Sequence, residues 1–173
     1  MKHLLTVIFS IICFANYAQD LPTIPALGYS FSLGTKFTIK LVPVDSINFN
    51  YSIIEFESFK EVVDTHETKS LFSEEGEELT LTCYFCLGTR GETEEERKQN
   101  MKVLLIIKNY SGFGLEYLSD ILLKKDGEYE PTSNVGVYKG AIAVEMWPYM
   151  IHAIGLREFK KRDENRDIVS YNH

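Results

Sequence analysis

Hydrophobic and polar residues alternate along most of this chain, and a period of two marks strands with one buried face. In 35–42, Phe37, Ile39 and Leu41 share one side while Lys36, Thr38 and Lys40 share the other, and Pro43 closes the run. Residues 48–56 are rich in aromatic and β-branched side chains and predict a second strand. A bulge near Glu57 and Ser58 is expected there, with the strand continuing through 59–63. Residues 78–87 set Leu79, Leu81, Cys83, Phe85 and Leu87 against Thr80, Thr82, Tyr84 and Cys86. Residues 103–107, Val-Leu-Leu-Ile-Ile, are apolar on both faces and predict a central strand buried on both sides.

Further along, 115–124 alternates again, with Leu115, Tyr117, Ser119, Ile121 and Leu123 on one face. Asp126 and Gly127 tolerate positive φ and form a strong hairpin signal, after which 128–130 returns the chain. Short strands are expected at 135–138, 141–146 and 151–160. Only 93–101 reads as a helix: Thr93 and Glu96 form a capping box, and Glu94 with Lys98 an i,i+4 pair.

Seven to nine strands with frequent turns and one short inserted helix predict an all-β chain, a single antiparallel β-sandwich of immunoglobulin-like architecture. A small β-barrel is the alternative. The Cys…Trp…Cys arrangement of true immunoglobulin domains is absent, so the likeness is one of architecture. The domain is expected over 35–160, after an extended lead-in at 19–34 and before a charged, flexible tail at 161–173.

The first 18 residues change the picture of where the chain works. Lys2 and His3 precede an apolar run at 4–15, and Ala18 suits the position before a cleavage, which together predict a secretory signal peptide. The run is shorter than the roughly 20 residues that span a bilayer as a helix. Ile12 stands before Cys13, where lipoprotein processing wants a small residue. The expectation is a cleaved, extracytoplasmic protein (periplasmic, surface or secreted) with no membrane span after cleavage. The 173 residues are 45% hydrophobic, 25% charged and 13% aromatic, the composition of a folding chain. Its net charge of −7 argues against nucleic acid as partner, since phosphates call for a basic surface.

Candidate chemistry is sparse. Cys83 and Cys86 form a C-x-x-C motif inside a strand pattern, where residues i and i+3 point to opposite faces. Two separate thiols are therefore expected, with a local disulfide at a bulged strand end as the alternative. His66, His152 and His173 are widely spaced, so no metal site and no cofactor is expected. Ser111 in Asn-Tyr-Ser-Gly lacks the glycine that a nucleophile elbow carries two residues before its serine. Asn50 and Asn109 match the N-glycosylation pattern. Glutamates cluster at 74–78 and at 92–96, the latter including Glu94, Glu95 and Glu96.

Met146, Trp147 and Tyr149 surround Pro148 at a turn, and large amphipathic rings and methionines on loops suit binding surfaces. Tyr29, Phe31, Tyr110, Phe113 and Tyr117 are possible members of the same aromatic patch. Alternatively Trp147 anchors the core and Pro148 only fixes the corner. The expected function is non-catalytic binding of another macromolecule, a protein of basic character, in the manner of an inhibitor or immunity protein. Strand edges, aromatic loops and the glutamates are the expected contacts. An extracytoplasmic hydrolase and a structural surface protein are the competing readings.

Overall fold

The computed structural model describes residues 21–163. The predicted signal peptide at 1–18 and most of the predicted tail lie outside them. Ten strands follow in chain order: β1 Gly28–Ser32, β2 Thr35–Pro43, β3 Asn48–Ser58, β4 Val62–Asp64, β5 Thr80–Thr89, β6 Lys102–Asn109, β7 Leu115–Leu122, β8 Tyr129–Thr132, β9 Ile142–Trp147 and β10 Ala153–Lys161. One short helix, α1 Glu94–Gln99, lies between β5 and β6, and a 3₁₀ turn, Thr68–Leu71, lies between β4 and β5. The chain is all-β, as the alternation predicts.

A single sheet, in the order β8-β7-β10-β3-β2-β5-β6-β9, is curled into a half-barrel. Two strands lie off that path: β1 pairs with β10 antiparallel, and β4 pairs with β5 in the one parallel pairing among the described residues. The concave face collects the inward residues of nearly every strand into one core. Phe37 and Ile39 of β2 lie in register with Cys83 and Leu81 of β5, and these lie opposite Ile107 and Asn109 of β6. Phe31 stacks on Phe37, ring centroids 3.6 Å apart, although their strands do not pair. Each such fully buried Phe, Ile or Leu contributes about 1.5–3 kcal/mol relative to exposure.

The double-sided run in β6 has a specific cause. Val103, Leu105 and Ile107 enter the main core, whereas Leu104 and Ile106 join a second cluster on the convex face with Val63, Tyr84 and Cys86. Phe59, Leu71 and Phe72 cover that cluster, and the Tyr84 hydroxyl donates to the Leu71 carbonyl at 2.9 Å.

The end strands β8 and β9 do not pair and are tied by side chains instead. Trp147 Nε1 donates to Thr132 Oγ1 at 3.3 Å, and Val135 N donates to Glu145 Oε1 at 3.1 Å. The 133–141 connection also bridges back to β7 through Leu115 and Val137.

Four local expectations are corrected. The lead-in contains a strand, β1, which its prolines and glycines hide. The β3 bulge lies at Ile54, because Thr38 faces Glu55 and Ile39 faces Ile53. Residues beyond Ser58 leave the β2 edge and form the separate β4. Residues 135–138 form a single bridge rather than a strand, because Gly136 turns there at φ 70.

Cys83 points into the main core and Cys86 into the convex-face cluster, and both are free and buried. Burial raises both thiol pKa values, that of Cys86 to about 12. The thiolate is the reacting form, so native 19–173 should resist iodoacetamide at pH 8. Intact mass should show two additions only after denaturation. Rapid native labelling, or a two-dalton deficit with no labelling, would contradict this placement.

Candidate functional site

A large hollow sits where the edge of β10 changes partner. One half of β10, Ala153 to Arg157, pairs with β1, and Phe159 and Lys160 pair with β3. Between them the ladder to β7 slips, and Glu158 takes φ 57. A left-handed conformation costs a non-glycine residue about 1–2 kcal/mol. Such outliers persist where the surroundings fix them; here Glu158 N donates to the Leu27 carbonyl at 3.1 Å.

The break leaves a groove of about 490 Å³ on the convex face between β3, β10 and β7. Leu27, Val44 and Leu118 form its apolar rim, with exposures of 56%, 61% and 45%. Glu116, Glu158 and Lys160 supply its charge, and Lys160 Nζ pairs with Glu116 Oε2 at 3.2 Å. A neighbouring hollow of about 390 Å³ shares Leu27 and runs over Gly28 and Gly155 towards the exposed ring of Tyr129. A Cβ at Gly28 would stand 2.7 Å from Arg157 Cβ and 2.9 Å from the Leu156 carbonyl oxygen, so this surface requires glycine there.

An ion-pair network stiffens that floor. Arg157 donates to Asp120 through Nε at 2.7 Å and Nη2 at 3.3 Å, and pairs with Glu158 through Nη1. Its hydrogen bonds to the Asp120 carboxylate hold the guanidinium pKa above its ordinary value. The result is a partly apolar face whose floor is built on strands, with Leu27 and Val44 at strand ends, suited to holding a surface of fixed shape.

The residues singled out from the sequence do not meet in one place. Trp147 is 6% exposed and belongs to the main core, so its ring is not part of a binding surface. Met146 and Tyr149, beside it, are exposed. Tyr110 and Phe113 lie beyond the other end of β6, about 23 Å away at ~3.3 Å per residue. Tyr110 packs over Gly76 and donates its hydroxyl to the Ser73 carbonyl at 2.7 Å. Phe113 stacks on Phe49 at 5.8 Å, with the Lys161 ammonium 4.5 Å from its centroid. Phe31, Tyr117 and half-buried Tyr29 also pack in the core.

Glu94, Glu95 and Glu96 are exposed on α1. Glu96 completes the predicted capping box, and the Glu92 and Thr93 backbone N–H groups hold its carboxyl below the ordinary range. Glu94 reaches Lys98 at 3.9 Å.

Asn109 is fully buried, with its carboxamide nitrogen 2.8 Å from the Phe113 carbonyl oxygen, so this fold has no room for a glycan there. Ser111 is also buried and donates its hydroxyl to Asn109 Oδ1 at 2.7 Å, a turn contact. No three His, Cys, Asp or Glu side chains gather as a metal site among the described residues.

The sequence reading missed Leu27, Val44, Leu118 and Glu158. Leu118 alone carried a signal, as an apolar residue between Glu116 and Asp120 on the polar face of an alternating strand. No family model, no curated protein and no solved structure matches this chain.

Proposed function

We propose that this protein is an extracytoplasmic, non-catalytic binding protein that recognises another protein through the convex face of β3, β10 and β7. The carrying observation is the groove at Glu158, floored by β3, β7 and β10 and rimmed by exposed Leu118 of β7 and by Leu27 and Val44, which adjoin the ends of β1 and β2. Exposed apolar side chains around a rigid depression are where a partner's anchor residue gains most, because its burial excludes water from both sides. The net charge of −7 favours a partner with basic residues around that anchor, while the groove's own acids, Glu116 and Glu158, are paired with Lys160 and Arg157. An inhibitor or immunity role belongs to this reading, since blocking another protein needs a rigid complementary face and no chemistry.

The test is capture from native envelope and culture medium with tagged 19–173, at low and moderate salt, read by mass spectrometry. One dominant, salt-sensitive partner is expected. Leu118→Glu should reduce its capture at least tenfold, since loss of an anchor contact costs about 2 kcal/mol or more. Lys98→Ala on α1 should leave capture unchanged. Equal capture by Leu118→Glu, or no partner at either salt, would overturn the proposal.

A further inference from the structure

A smaller hollow of about 240 Å³ lies at the other end of the fold's chemistry, where the segment after β4 meets the flanks of α1 and the convex face of β6 and β9. Arg90, Lys102 and His66 line it with Thr65 and Asn100, and Val144 and Met146 form its apolar wall. No carboxylate lines it, in a chain whose 25 acidic residues outnumber 18 Lys and Arg.

Among the described residues the two permanent cations, Arg90 and Lys102, have no carboxylate partner. The adjacent acid, Asp64, is already engaged by Arg97 at 3.4 Å and by the His66 backbone N–H at 3.0 Å.

The backbone around these side chains is fixed. Asn100 Nδ2 donates to the Arg90 carbonyl at 3.1 Å, Thr65 N donates to the Thr89 carbonyl at 3.0 Å, and Lys102 opens β6 opposite Gly88. Met146 is 53% exposed beside them, so an apolar group seated there would remove its surface from water.

We infer that this hollow binds a small oxyanion, a carboxylate or phosphate, carried on an apolar body. Arg90 and Lys102 hold the oxyanion: the guanidinium fork matches two of its oxygens and the ammonium acts as a point charge. Thr65 and Asn100 offer further hydrogen-bonding groups, and Val144 and Met146 contact the apolar body. The volume lies below the roughly 300–1,000 Å³ of drug-sized sites, which sets the ligand's scale. This site is separate from the groove at Glu158 and shares no residue with it.

The test is NMR of 19–173 carrying ¹³C-methyl methionine, titrated with phenyl phosphate and, separately, with phenylacetate. The Met146 methyl signal should shift saturably, with Met150 as an internal reference. Arg90→Gln and Lys102→Gln should each weaken binding at least tenfold, and Lys124→Gln, on the β7–β8 hairpin, should not. Saturation with phenyl phosphate alone assigns a phosphate ligand, with phenylacetate alone a carboxylate, and with both the oxyanion class. No saturable Met146 shift with either probe, or a shift unaltered by Arg90→Gln and Lys102→Gln, would overturn the inference.

Discussion

Trp147→Ala should lower the unfolding free energy by about 3–5 kcal/mol, the range for truncating a large buried aromatic side chain. The effect is expected near the upper end because Trp147 has two roles. Its ring fills the main core at 6% exposure, and its indole N–H reaches Thr132 Oγ1 across the unpaired seam between β9 and β8. β9 pairs with β6 alone, so loss of that anchor frees a whole edge strand. Urea unfolding followed by circular dichroism measures it. Met146→Ala, one residue away with an exposed side chain, should stay within about 0.5 kcal/mol. A loss below 1 kcal/mol for Trp147→Ala would mean that the seam does not depend on this ring.

Asn109→Asp should destabilise the protein by about 3–5 kcal/mol at pH 7, the cost of a buried charge without a partner. The Asn109 carboxamide nitrogen donates to the carbonyls of Phe113 at 2.8 Å and Tyr138 at 3.1 Å, and Oδ1 accepts from Ser111 N and Oγ. This one side chain therefore fixes the 110–114 turn and the 133–141 connection together. Aspartate keeps the shape but sets a carboxylate oxygen against those carbonyl oxygens. Burial and the facing acceptors raise the carboxyl's folded-state pKa. Stability of the variant is then greatest below the unfolded value near 3.9 and falls as pH rises through the folded value. Thermal unfolding at pH 4.5 and 7 should show the gap to wild type narrowing at the lower pH. A gap independent of pH would show that the lost donor, not the charge, dominates.

The strands were legible because alternation with a buried face holds in β2, β5 and β7, and an unbroken apolar run marks β6. The cap at Thr93 was legible because it is set by neighbours within four residues. The β7–β8 hairpin was legible at Asp126 and Gly127 too, but neither takes positive φ. Its turn is closed by Gly127 N on the Lys124 carbonyl, within a loop from Leu122 to Tyr129. β1 was not, since its pairing with β10 joins residues more than a hundred positions apart. The path of the sheet depends on such distant pairings too. The double-sided burial of β6 was readable from 103–107, but the identity of its outer cover, the 59–72 segment, was not.

The groove at Glu158 arises from a change of partner along β10, a property of three strands at once. Nothing in the local sequence around Arg157 and Glu158 announces it. Trp147 shows the converse limit: its neighbours Met146 and Tyr149 are exposed, and only the register of Trp147 opposite Val103 turns its ring inward.

The most direct test of the proposed binding face is amide hydrogen exchange, comparing free protein with the complex formed by the captured partner. The groove predicts slowed exchange around Leu27, from Val44 to Asn50, and from Glu116 to Leu118, with α1 unchanged. Protection confined to β9 and the 148–151 turn, with the groove segments exchanging as in the free protein, would contradict it.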